Sequence, residues 1–241
     1  MRYLFVGGPA RSGTSAFTRL INTHPSIVLG MERYKFFYPK RSVSPDLFED
    51  PRFFNPQPDE TNVSMARMGD VDVLRRNFES AEYRGDKVPH ILRYYKHFNE
   101  YLPGCKFIIM YRNIHRICSS WNVRAERKGD SWSPTNDFRV AVDAVNKELR
   151  SAVNLHKEQP SRFLIARYEN VFSSTSLDTM GKILDWLEVK PHPQLAMAIE
   201  KNMKIAERIK NKPLLEYDGQ REYIQQNIDW PVIERVESIA V

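Results

Sequence analysis

Apolar and polar positions along this chain fall into two alternating periods, and the alternation predicts strands separated by helices. Arg2 to Val6 is a short apolar run ending in Gly7 and Gly8, the pattern of a buried strand entering a turn. Thr14 to Ile21 then reads as a helix closed by His24-Pro25, and Ile27 to Leu29 as a second short strand. Helices are predicted over Val71 to Phe78 and over Ile91 to Tyr101, the latter stopped by Pro103-Gly104. Lys106 to Tyr111 is a strong buried strand, followed by a helix over Ile114 to Arg127. Phe138, Val142, Val145, Leu149 and Val153 share one face of a long amphipathic helix. Phe163 to Ala166 is a further strong strand, and Thr175 with Asp178 has the spacing of a capping box before Met180, Ile183, Leu184 and Leu187. Strands alternating with helices predict an α/β fold, a parallel sheet with helices on both faces. A single domain over residues 1–241 is expected.

Residues 35–62 interrupt this rhythm. Pro39, Pro45, Pro51, Pro56 and Pro58 stand among many aromatics, a proline density that no regular element survives. A long ordered loop or lid beside an acceptor site is expected. Its rings, Phe36, Phe37, Tyr38, Phe48, Phe53 and Phe54, either cover a substrate or pack the loop onto the core. Trp132 has the same two readings. The tail after Pro213 carries no clear pattern.

Composition narrows the class. With 41% hydrophobic and 27% charged residues, the chain has the balance of an ordinary soluble globular protein. No apolar run approaches the length of a membrane span. Met1 to Val6 already reads as a strand with no export leader ahead of it, so a cytoplasmic location is expected. Cys105 and Cys118 lack metal-ligand spacing and read as buried thiols. The net charge of +6 is dispersed, which suits a small anionic ligand better than nucleic acid.

The chemistry concentrates in Gly7-Gly8-Pro9-Ala10-Arg11-Ser12-Gly13-Thr14-Ser15, which follows a strand and opens a helix. Backbone N–H groups and the positive end of a helix converge at such a turn and favour an anion. Gly8 and Gly13 have Walker-type spacing, but Thr14 stands where a nucleoside triphosphatase needs lysine. The cation sits earlier, at Arg11, whose planar fork can clamp a tetrahedral oxyanion. Arg11-Ser12-Gly13-Thr14, then Asn22-Thr23-His24-Pro25, then Gly30-Met31-Glu32 resembles the 5′-phosphosulfate segment of sulfotransferases that use 3′-phosphoadenosine 5′-phosphosulfate (PAPS). The likeness is nearest to the tyrosylprotein and carbohydrate branch, although Ala10 is inserted between Pro9 and Arg11 here. The same family has a strand ending in arginine with a serine eight residues on, and Arg112 and Ser120 match it, Ser119 being an adjacent alternative.

The resemblance implies a P-loop-NTPase-like three-layer fold, a central parallel sheet flanked by helices. It also implies in-line transfer of a sulfuryl group from PAPS to an acceptor hydroxyl, leaving PAP. Arg11, Ser12, Gly13, Thr14 and Ser15 would hold the phosphosulfate, Arg112 and Ser120 the 3′-phosphate, and Tyr168 the adenine side. Glu32 matches the family's general base, or else it pairs with Arg33 or Lys35. Lys87 matches a lysine that stabilises the leaving group, or else it is a solvated loop residue. Tyr34 stands where the tyrosylprotein enzymes carry a second arginine, which speaks against a tyrosylprotein acceptor; a carbohydrate or small molecule is expected, and the residues do not separate these from a lipid-linked or peptide hydroxyl. Arg208, Lys210 and Lys212 form a basic cluster of unassigned role. His90, His97 and His115 have no metal-ligand partners, and no metal is implied. Two rivals remain: a non-catalytic nucleotide-binding module and a degenerate P-loop kinase or NTPase. The sequence is silent on oligomeric state.

Overall fold

Apolar runs become strands where they were expected, and one strand forms where none was. The computed structural model describes residues 1–129, 132–209 and 213–241, with backbone alone at 208 and 209. In chain order the strands are β1 (Arg2–Gly7), β2 (Ile27–Met31), β3 (Tyr83–Lys87), β4 (Lys106–Tyr111) and β5 (Phe163–Arg167). They form one parallel sheet in the order β2-β3-β1-β4-β5. Phe5, Phe107, Ile109, Phe163 and Ile165 point to one face, and Leu4, Val6, Ile108, Met110 and Leu164 to the other. Each face has its own buried cluster, so the fold has three layers.

The helices are α1 (Thr14–Ile21), α2 (Val71–Phe78), α3 (Tyr95–Tyr101), α4 (Ile114–Ala125), α5 (Phe138–Glu158), the single turn α6 (Tyr168–Val171), α7 (Ser176–Leu187), α8 (Pro193–Ile209), α9 (Gln220–Asn227) and α10 (Trp230–Ile239). Buried residues of α1, α7 and α8 join one cluster, and those of α2, α3, α4, α5, α9 and α10 the other. From β1 the chain turns toward β2 through α1, whereas β4 leads to β5 in the opposite direction through α4 and α5 on the other face. The direction of winding therefore switches between β1 and β4, and the crevice at their carboxyl ends is where open α/β sheets bind ligands.

Three local expectations are corrected. The stretch over Ile91–Tyr94 is a 3-10 turn that precedes α3. Thr175 makes no side-chain cap on α7, because its hydroxyl pairs with Ser173 Oγ at 2.9 Å instead. Helix α4 stops at Ala125, short of Arg127.

Strand β3 reads Tyr-Arg-Gly-Asp-Lys, yet all five residues are buried. The segment after β2 makes this possible. Arg84 donates to Phe48 O at 3.1 Å and to Glu49 Oε2 at 2.8 Å, and its guanidinium lies 4.0 Å from the Phe78 ring centroid. Tyr38 Oη donates to Asp86 Oδ2 at 2.6 Å. Arg33 pairs with Glu60, both enclosed, and Arg52 closes on Glu60 from outside. Tyr38, Phe48, Phe53 and Phe54 are buried among these groups, while Phe36 and Phe37 stay part-exposed. Most rings of the 35–62 region thus pack the core, with a 3-10 turn at Pro45–Phe48 the only regular element described there.

Candidate active site

Residues 11 to 15, Glu32, Lys87, Arg112, Ser120 and Tyr168 each lie at or just past the carboxyl end of a strand, or on the helix that follows one. The loop after β1 owes its path to missing side chains. A Cβ at Gly8 would stand 2.3 Å from Met110 O, so glycine lets the loop lie against β4. Ser12 N–H donates to Pro9 O at 3.1 Å, and Arg11 takes a left-handed φ of 73°. Gly13 (φ 96°) opens α1 and offers no side chain to cap it. The Tyr168 ring occupies the space that a Cβ at Gly13 would need, with Cδ2 2.2 Å away. Ser12 Oγ is buried without a hydrogen-bond partner. Thr14 is buried with its carbonyl taken by Thr18 Oγ1 at 2.9 Å, and Ser15 is half-buried on the first turn of α1.

The two marked segments meet. Arg11 Nε donates to Ser120 Oγ at 2.8 Å, joining the loop after β1 to the helix after β4. Ser119 faces elsewhere and accepts from Leu215 N–H at 2.8 Å. Arg112 ends β4 with its guanidinium 4.4 Å from the Tyr168 ring centroid and its Nε buried without a hydrogen-bond partner. Both border a cavity of about 360 Å³ whose other walls include Arg116, Phe172, Met203 and Glu207. The orphaned Nε of Arg112 beside this cavity and the orphaned Oγ of Ser12 at the start of α1 suit a phosphorylated ligand. The cluster Arg208, Lys210 and Lys212 lies outside the residues whose side chains are described.

Glu32 and Lys87 meet at the ends of β2 and β3. Lys87 Nζ donates to Glu32 Oε1 at 2.7 Å, and Lys35 stands 3.7 Å from Oε2. The lysine is nearly enclosed (2% exposed), whereas the carboxylate keeps 21% exposure. Glu32 also holds a left-handed φ of 57°. Its N–H donates to Lys87 O at 2.8 Å, and its carbonyl accepts from Thr61 Oγ1 at 2.7 Å, so its backbone is pinned on both sides. Asp86, fully buried behind the pair, accepts from Lys87 N–H at 2.8 Å and from Tyr34 N–H at 3.3 Å. Burial pushes its carboxyl up to about 6, against the pull of the Tyr38 hydrogen bond.

The histidines have structural partners. His24 Nδ1 accepts from Ser26 N–H at 3.2 Å and Nε2 faces Lys190 O at 2.8 Å, with burial lowering its pKa. His97 accepts from Val43 N–H, while His90 and His115 stand 3.4 and 3.9 Å from Glu148 and Glu216. Cys105 and Cys118 are free and buried, and burial pushes their thiols up to about 11 and about 12. Among the described residues no group of His, Cys, Asp or Glu is arranged to hold a metal, and no helix is long and apolar enough to cross a membrane.

Residues 4–193 match a sequence profile described as the sulfotransferase family. The chain belongs to this family. Solved sulfotransferases share its P-loop-like three-layer fold at low sequence identity. The sulfotransferase domain of the Synechococcus PCC 7002 olefin synthase superposes with a TM-score of 0.60 at 14% identity, covering 99% of this chain and 94% of that one. The sulfotransferase domain from the curacin biosynthetic pathway gives 0.58 at 15% identity, covering 93% and 96%. Sulfotransferase STF1 from Mycobacterium tuberculosis gives 0.54 at 16% identity, covering 93% and 76%. A search of curated proteins returned no significant match.

Two residues of this sulfotransferase site escaped the sequence reading. Trp121 donates its indole N–H to Ala10 O at 3.0 Å and so touches the loop after β1. Its adjacency to Ser120 was the available signal. Asp86 had none, because a charged residue beside Lys87 looks solvated until its strand is known.

Proposed function

We propose that this chain transfers a sulfuryl group from PAPS to an acceptor hydroxyl. The Arg11–Ser120 hydrogen bond carries this reading, because it brings the loop after β1 within reach of the group assigned to the 3′-phosphate. One nucleotide with phosphates on its 3′ and 5′ positions can then engage both. Ser12, Gly13, Thr14 and Ser15 cradle the phosphosulfate with backbone and hydroxyl donors, and the orphaned Ser12 Oγ supports this. Arg112 and Ser120 hold the 3′-phosphate, and Tyr168 lies along the adenine side of the cavity.

Sulfuryl transfer, like phosphoryl transfer, spreads charge over peripheral oxygens, so positioned cations do most of the work. Arg11 and Lys87 supply that charge, and Lys87 is close enough to Glu32 to serve leaving group and base together. Glu32 takes the proton of the attacking hydroxyl. The part-exposed Phe36 and Phe37, just beyond Glu32, favour an acceptor with a flat or sugar-like face, a carbohydrate or a small molecule.

Thermal shift with PAP, ADP and ATP–Mg²⁺ tests the donor. Selective stabilisation by PAP is expected, and a preference for ATP–Mg²⁺ would return the chain to the kinase reading. Labelled PAPS offered against pools of carbohydrate and small-molecule alcohols then identifies the acceptor. PAP binding with no transfer to any pool would favour a binding module.

A further inference from the structure

In the loop between β1 and α1 Ala10 stands between Pro9 and Arg11, and its carbonyl has its own partner. Trp121 Nε1 donates to Ala10 O at 3.0 Å. The tryptophan is 5% exposed, and Trp132 holds it edge-on with centroids 4.6 Å apart. It is the neighbour of Ser120, which accepts from Arg11. Consecutive residues of α4 therefore grip consecutive residues of the loop.

The grip falls where the backbone has a choice. Pro9 to Ser12 close a turn whose third residue, Arg11, is left-handed. Glycine is favoured at such a position, and a side chain there costs roughly 1 kcal/mol. In a trans amide the Ala10 carbonyl and the Arg11 N–H point opposite ways. Holding the carbonyl against α4 turns the Arg11 N–H away from α4 and fixes the direction in which the Arg11 side chain leaves the loop.

We propose that Trp121 is a positioning residue for Arg11. Its indole N–H locks the Ala10–Arg11 peptide and thereby presents the guanidinium to the bisphosphorylated nucleotide. The idea rests on the PAPS reading and concerns the Ala10 carbonyl beside Arg11. A phenylalanine fills much of the same space but has no donor. An imidazole superimposes on the pyrrole half of an indole and returns a ring nitrogen, Nε2, to the place of Nε1.

Calorimetric titration of PAP into the wild type, Trp121→Phe, Trp121→His and the same changes in an Arg11→Ala background tests it. Trp121→Phe should weaken PAP about three- to tenfold, the range a neutral hydrogen bond gives. Trp121→His should bind PAP more tightly than Trp121→Phe while melting lower, because affinity follows the N–H and stability follows the packing. In the Arg11→Ala background the Phe substitution should cost nothing further. Equal PAP affinity of Trp121→Phe and wild type, or the same loss with and without Arg11, overturns the inference. If Trp121→Phe does not fold, Trp121→His decides alone: a tenfold loss of affinity overturns it and a loss below threefold supports it. A wild type that ignores PAP instead sinks the sulfotransfer reading itself.

Discussion

The carboxyl edge of the sheet is built in two ways on its two sides. On the β1–β4–β5 side the strand interiors are apolar, charged residues stand only at strand ends (Arg2, Lys106, Arg167), and Arg11, Arg112 and Tyr168 follow the strands. On the β2–β3 side polarity runs into the strand itself, where Arg84, Asp86 and Lys87 are all buried. The first side rests on hydrophobic burial and needs glycine only to let backbones approach. The second rests on ion pairs and hydrogen bonds supplied by residues 33–62, distant in sequence. Buried charges are costly unless every one is answered. The side carrying Glu32 and Lys87 is therefore precise and easily broken, and the β1–β4–β5 side is robust.

That contrast yields tests of graded size. Glu32→Gln should lower kcat by about two to four orders of magnitude, the worth of a positioned base, while PAP titration shows unchanged affinity. A wild-type rate would remove Glu32 from the chemistry. Glu60→Gln should lower unfolding stability by about 3–5 kcal/mol in denaturant titration, because Arg33 is left enclosed without its counter-charge. A loss under about 1 kcal/mol would mean that this side is not held by its ion pairs. Asp86 gives the next effect, read from pH. Its folded carboxyl is raised to about 6, so the folded state holds this proton more tightly than the unfolded chain. The stability it contributes is full below the unfolded value and is lost as pH rises through about 6. The total is on the order of 3 kcal/mol. Subtracting the pH–stability curve of Asp86→Asn from that of wild type should leave this slope, and parallel curves would contradict it. The smallest effect belongs to the robust side. Arg112→Ala should weaken PAP about tenfold to a hundredfold, the range of a charge-assisted phosphate bond, with little change in melting temperature.

The same contrast explains what the sequence disclosed. β1, β4, β5 and α5 were legible because burial was written as apolar residues at strand or helix spacing. Arg11 stood out because a glycine turn between a strand and a helix favours an anion, and Arg112 and Ser120 through their resemblance to the family's second marker; the structure brings Arg11 and Ser120 together. β3 was not legible, since nothing local distinguishes Tyr-Arg-Gly-Asp-Lys from a surface turn, and Arg84, Asp86 and Lys87 find side-chain partners 35 to 55 positions away. Thr175 and Asp178 show the converse. Their spacing satisfied a local rule that a nearer hydroxyl, Ser173, defeated.

The charged strand β3 also bears on the order of events expected during folding. β1 and β2 are made first, but the sheet leaves a strand's width between them until β3 arrives. β3 cannot enter that gap without bringing an arginine, an aspartate and a lysine, and those ions are tolerable only once Tyr38, Glu49 and Glu32 stand ready to receive them. Docking of the proline-rich stretch and insertion of β3 are therefore expected to be coupled, and the carboxylate assigned to catalysis is set in place by the same contacts that admit the strand.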